Sequence, residues 1–180
     1  NENDEGIYDA LNKGVSKVNS KYFMLLHSGD IFVSDEIILL SIIKNLEENH
    51  LDLILNNQYI GFYKKFRKHR SDNWQPWMLN FGAQPAHLPT IYRTEFALNY
   101  EYKNNIEIVA DFIYFENIFD SKPNWSSTSN FIVKMEPGGK TSSGLKSFFY
   151  VSNDFIKNKG LFTGIWLSIA RLPFKIIQAI

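Results

Sequence analysis

An unbroken apolar and aromatic run, Tyr22-Phe23-Met24-Leu25-Leu26, switches within four positions to His27-Ser28-Gly29-Asp30. A short run with no polar alternation suits a strand covered on both faces, as in parallel sheets with helices on each side. In open α/β sheets, ligands sit just beyond the carboxyl ends of such strands. The segment therefore predicts an α/β fold and places Asp30 at the mouth of a site. Ser28 and Gly29 are small enough to let a ligand approach the backbone closely.

A chain of 180 residues is sized for about one domain, and its hydrophobic share of 44% supplies a core. Nineteen basic side chains balance nineteen acidic ones. That balance argues against a general nucleic-acid binder, which carries a strong basic excess. The absence of cysteine removes disulfides and thiolate metal sites and fits a reducing cytosol. The sequence begins at Asn1 without a signal-peptide pattern and turns helical almost at once. A parallel-sheet domain that opens on a helix is expected to be incomplete at its N-terminus.

Ile7, Ala10, Leu11, Gly14, Val15 and Val18 fall at helical spacing, with Asp4 or Asn3 as the expected cap. Gly14 on that face would let the helix sit close to a sheet. Ser34 is the expected cap of a second helix, with Asp35 and Glu36 in its first turn and Leu39, Ile42, Ile43 and Leu46 as its stripe. Residues 51–55 read as a strand that continues through 59–62. The basic stretch 64–70 reads as a solvated turn or, functionally, as a patch facing phosphates or an acidic acceptor. Residues 74–81 form a short helix, and two prolines force a loop at 84–89. A short strand at 90–93, a helix at 108–119, a strand at 125–134 and a helix at 148–157 complete residues 1–158. Residues 138–142 form a glycine-containing loop.

Residues 159–180 differ in composition. Phe162, Ile165, Trp166 and Ile169 make a helical stripe, widened by Leu161, Leu167 and Leu172, with Arg171 and Lys175 as the only charges from 160 onward. Arg171, Pro173, Lys175 and Gln178 interrupt the run too often for a span. An amphipathic helix lying on an anionic membrane surface is the expectation, with docking on the protein's own core or on a partner as the alternative.

Several of these segments together resemble a known family. The stretch from Glu2-Asn3-Asp4-Glu5-Gly6-Ile7-Tyr8-Asp9-Ala10 to Leu11-Asn12-Lys13-Gly14 resembles the pattern E-x-D-x-G-I-Y-D-A-M-N-K-G of bacterial family 2 glycosyltransferases. These have the GT-A fold and are similar to enzymes that build colanic acid and other surface polysaccharides. Leu25-Leu26-His27-Ser28-Gly29-Asp30 resembles that family's local form of the DxD metal motif, with His27 in place of Asn or Asp. Residues 84–93, Ala110-Asp111-Phe112 and Gly138-Gly139-Lys140-Thr141-Ser142 resemble three further family segments, although Leu88 stands where Gln often follows the histidine.

The resemblance implies a GT-A, Rossmann-like mixed sheet flanked by helices, lacking the family's first half. It implies inverting transfer of a sugar from a nucleotide-diphosphate sugar to a glycan or lipid-linked acceptor hydroxyl. A hard cation, Mn2+ or Mg2+, would be held by Asp30 and the diphosphate. Asp111 would take the acceptor's proton. Asp4, Asn12, Lys13 and Gly29 would flank the donor, and His87, Arg93 and Gly139 would face the acceptor or a phosphate. Residues 160–180 would hold the protein peripherally on the cytoplasmic face of the inner membrane. The competing expectation is an inactive fragment serving as a membrane- or partner-binding module.

Overall fold

A computed structural model of the protein describes residues 3–62, 65–136 and 144–177. Its sheet is built on β3 (Leu53–Phe62), a ten-residue strand. β6 (Trp125–Met135) runs parallel to β3 along most of its length. On the other side, β5 (Ile91–Arg93) pairs antiparallel with the start of β3, and β4 (Lys65–His69) pairs antiparallel with its end. β1 (Tyr22–Phe23) lies outside β5 and β2 (Ile31–Phe32) outside β6, giving the order β1-β5-β3-β6-β2. The result is the mixed α/β sheet flanked by helices that the sequence predicts.

Side-chain alternation along β3 divides the core. Leu53 and Leu55 point to one face, and Ile54 between them points to the other. On the Ile54 face lies α2 (Glu36–Glu48), which buries Ile42 and Leu46. The opposite face carries α4 (Ala110–Asp120), whose Phe112, Phe115 and Ile118 are buried in the larger cluster. α5 (Gly144–Lys159) contributes Val151 and Phe155 there, and α6 (Leu161–Ile177) contributes Leu167. Tyr8 and Leu11 of α1 (Ile7–Ser16) pack against its edge. A 3-10 turn, Pro76–Phe81, and the short α3 (Thr94–Ala97) fill the connections.

Several local expectations change. The run at 22–26 pairs as a strand for only two residues, and Leu26 is 46% exposed. β1 has a single strand neighbour, β5, among the described residues, so its apolar residues coat an edge and not a sheet centre. Asp35, not Ser34, caps α2 by accepting the Ile38 N–H at 2.8 Å. Gly6 stands at the cap position before α1 with no side-chain cap, and the Asp4 carboxylate accepts its N–H at 3.2 Å. Gly14 is exposed, with no heavy atom near the position of a Cβ, so it does not mediate close packing. Residues 65–69 of the basic stretch form a strand, not a turn.

The tail helix docks on the protein's own core by one face, the alternative raised from the sequence. The Gly160 N–H bonds to the Ile156 carbonyl at 3.0 Å with φ +85°, ending α5 and reversing the chain. α6 then folds back along α5. A Cβ on Gly164 would lie 2.5 Å from the Ile156 backbone, so the two helices meet where only glycine fits. Gly164, Leu167, Ser168 and Arg171 form the docked face. The expected stripe of Phe162, Ile165, Trp166 and Ile169 stays exposed. Arg171 therefore faces protein and does not face a membrane.

Candidate active site

Asp111 is the second residue of α4, where the unpaired N–H groups of a helix start must find partners. Asp154 of α5 supplies one for the residues just ahead: its Oδ2 accepts the Ile108 N–H at 2.8 Å and the Val109 N–H at 2.9 Å. Gln84 Nε2 donates to Asp111 Oδ2 at 2.7 Å, and the Phe112 N–H donates to Oδ1 at 3.0 Å. Burial pushes the Asp111 carboxyl above the ordinary aspartate range, against the opposing pull of these two donors.

A cleft of about 220 Å³ opens over this carboxylate. Arg67, Lys68 and His69 of β4 line one side, Gly82, Ala83 and Gln84 another, and Ile108, Val109, Asp111 and Phe112 at the α4 start its floor; Ser147, Val151 and Phe155 of α5 and Arg171 of α6 complete it. The basic stretch is thus brought beside Asp111 by pairing with the carboxyl end of β3. Gly82 has φ +73° and abuts the Leu167 carbonyl, so α6 closes on the loop that carries Gln84.

Asp30 stands in a separate turn. The Asp30 N–H bonds to the His27 carbonyl at 3.1 Å, and its carboxylate accepts the His27 N–H at 3.1 Å and the Glu136 N–H at 3.2 Å. Gly29 has φ +91°, and a Cβ there would lie 2.6 Å from Glu136 Oε2. The turn is thereby fastened to the end of β6. Asp30 does not line the cleft. His27, in the same turn, has its Nε2 buried without a hydrogen-bond partner among the described residues.

The other predicted site residues lie elsewhere. Asn12 spends its amide on the 102–104 segment, donating to the Tyr102 carbonyl and accepting the Tyr102 N–H, both at 2.8 Å. Lys13 is held by Asp9 at 2.6 Å and by the Asn3 carbonyl at 2.9 Å. His87 is a correction: it is buried, its Nε2 is 2.6 Å from the Tyr102 hydroxyl, and its ring meets Phe115 edge-on. Burial drives its pKa down to about 3, so it is a neutral core residue and not an anion contact. Arg93 is a second correction. It pairs with Asp52 at the amino end of β3, away from the cleft. Gly139 lies outside the described residues. Gln84 and Asp154 are not among the residues the sequence points to, and its pattern presents Arg171 as a surface charge. The available signal for Arg171 is a lone arginine in an apolar helix.

No family model matches the sequence, and no curated protein matches it significantly. Its structure is similar to crystal structures of S. aureus TarS. TarS 1-349 in complex with UDP-GlcNAc superposes with a TM-score of 0.60 at 12% identity, covering 96% of this chain and 54% of that one. TarS 1-349 in complex with UDP gives 0.53 at 12% identity, covering 81% and 44%. The chain therefore spans about half the length of the TarS structures it matches. At such identity the likeness establishes the shared fold.

Proposed function

We propose that the chain carries the acceptor side of an inverting glycosyltransferase site. Its reaction moves a sugar from a nucleotide-diphosphate sugar to an acceptor hydroxyl, in surface polysaccharide biosynthesis of the family 2 kind. The observation that carries this reading is Asp111: a carboxylate at the floor of a cleft, its pKa raised by burial, oriented by Gln84, on a fold shared with a UDP-GlcNAc-bound enzyme. The acceptor oxygen attacks the anomeric carbon as the bond to the diphosphate breaks and carries its electron pair away. Asp111 takes the hydroxyl proton. A raised pKa makes it a better base than an exposed aspartate once it is ionised.

Asp30 and Glu136 fit a role toward the diphosphate. Among the described residues each Asp30 oxygen accepts one backbone hydrogen bond, which leaves lone pairs for a Mg2+ or Mn2+ ion. Asp30 would hold such an ion, which would supply positive charge toward the leaving diphosphate.

A second reading rests on α6. Phe162 is 88% exposed, and Ile165, Trp166 and Ile169 accompany it. Among the described residues no helix is long and apolar enough to cross a membrane. We propose peripheral contact of this stripe with the cytoplasmic face of the inner membrane, where a lipid-linked acceptor would be presented. An inactive binding module would use the same surface without the cleft.

Asp111→Asn separates the two readings. It should reduce nucleotide release from nucleotide-sugars, with acceptor present, by about 10²–10⁴-fold. The native state holds the Asp111 proton more tightly than the unfolded chain does. Its contribution to stability is therefore largest at low pH and falls as pH rises through the ordinary aspartate range toward the raised value. The variant should accordingly be at least as stable as the wild type at neutral pH. Undiminished release by a folded Asp111→Asn variant would remove the catalytic reading.

A further inference from the structure

Among the described residues, Arg171 is the one cation of the cleft held in the protein interior. Its residue is 8% exposed, and its Nε has no hydrogen-bond partner. The Phe155 ring lies 5.7 Å from the guanidinium carbon. No carboxylate pairs with Arg171 among the described residues. Burying an uncompensated guanidinium is costly, and the cost shows in a pKa lowered by desolvation to about 10. The group nonetheless remains charged at neutral pH. Arg67 and Lys68 line the same cleft, and Asp111 is its only acid among the described residues. With the Asp111 charge disfavoured by burial, the cleft is strongly cationic inside a chain of zero net charge. A planar guanidinium with free donors matches phosphate oxygens in a forked geometry, and flanking cations suit a group with several acceptor oxygens.

We infer that the Asp111 cleft takes an acceptor bearing a phosphate group, with Arg171 as its buried contact and Arg67 and Lys68 as outer ones. The assignment to the acceptor rests on the glycosyltransferase reading. A base must touch the attacking hydroxyl, so groups sharing its cleft surround the acceptor, whereas the Asp30 turn contributes nothing to the lining. The donor also carries phosphates, so the test must tell the two sources apart.

The experiment titrates the full chain with inorganic phosphate, glycerol 3-phosphate and UDP by calorimetry, comparing wild type with Arg171→Gln. We expect both simple phosphates to bind the wild type and to bind the variant at least tenfold more weakly. UDP affinity should stay within twofold. The variant should melt no lower than the wild type, since a buried unpaired charge has been removed. Equal phosphate affinity in both proteins, or no phosphate binding by the wild type, overturns the proposal. Competition between phosphate and UDP, with both weakened together in the variant, moves the site to the donor and also overturns it. Should the variant fail to fold, the Arg171 Nε–H resonance of the wild type gives the answer: it must shift on phosphate addition, and an unmoved signal refutes the assignment. Asp111→Asn keeps this test distinct from the transfer reading, because phosphate binding should survive that change. Full activity of the Asp111→Asn variant, together with Arg171-dependent phosphate binding, would leave the anion site standing and the transfer reading lost.

Discussion

The two ends of β3 use the same residue types in opposite ways. At the amino end, Asp52 pairs with Arg93 and also accepts the Asn124 N–H at 2.8 Å, while the Asn124 amide donates to the Asn49 carbonyl at 2.8 Å. Charge is matched there, and β3, β5 and β6 are joined. At the carboxyl end, burial disfavours the Asp111 charge, and Arg171 is left without an anion among the described residues. A matched arginine–aspartate pair closes a structure; an unmatched pair of groups facing one cleft leaves room for a ligand. The contrast explains why Arg93 is architectural and Arg171 is not, although Arg93 sits in the segment that resembles a family motif.

The comparison can be broken most severely by moving α6. Gly164→Ala places a methyl group against the Ile156 backbone, which cannot rotate away. It should cost about 3 kcal/mol in urea unfolding and withdraw Arg171 from the cleft, weakening phosphate binding in parallel. An alanine variant of unchanged stability would show that the α5–α6 contact is looser than described. At the other end, Asp52→Ala removes the partner of Arg93 and an acceptor of Asn124. The expected loss is about 2 kcal/mol, moderated by the partial exposure of Arg93. Nucleotide release per folded molecule should not change. A drop in turnover without a drop in stability would place the amino end in the chemistry and erase the distinction between the two ends.

Much of the fold was legible because burial leaves periodic marks. The apolar run at 51–55 marked β3, and the helical stripe of Leu39, Ile42, Ile43 and Leu46 marked α2 and its inner face. Asp111 at the start of α4 was legible too, from a short motif before an apolar helix. The misreadings share one physical cause: an apolar pattern reveals that a residue is covered, not what covers it. The run at 22–26 coats a sheet edge, and α6 has apolar residues on both its docked and its exposed faces. Strand β4 was hidden because its basic side chains follow no core alternation; pairing with β3 makes it a strand. Gln84, Asp154 and Arg171 come from three segments distant in sequence, and only the fold brings them to the start of α4 and its cleft. The sequence separation of Asp30 from Glu136 concealed that turn's partner for the same reason.

The proposed transfer rests most on Asp111 acting as a base from a buried position. The direct measurement is the pH dependence of nucleotide release for wild type and Gln84→Ala. The wild-type rate should rise with pH through a midpoint above the ordinary aspartate value of about 3.9. Gln84 stabilises the ionised carboxylate, so its removal should shift that midpoint further toward alkaline pH while the plateau falls modestly. A midpoint at the ordinary aspartate value, or one that ignores the loss of Gln84, would contradict the assignment.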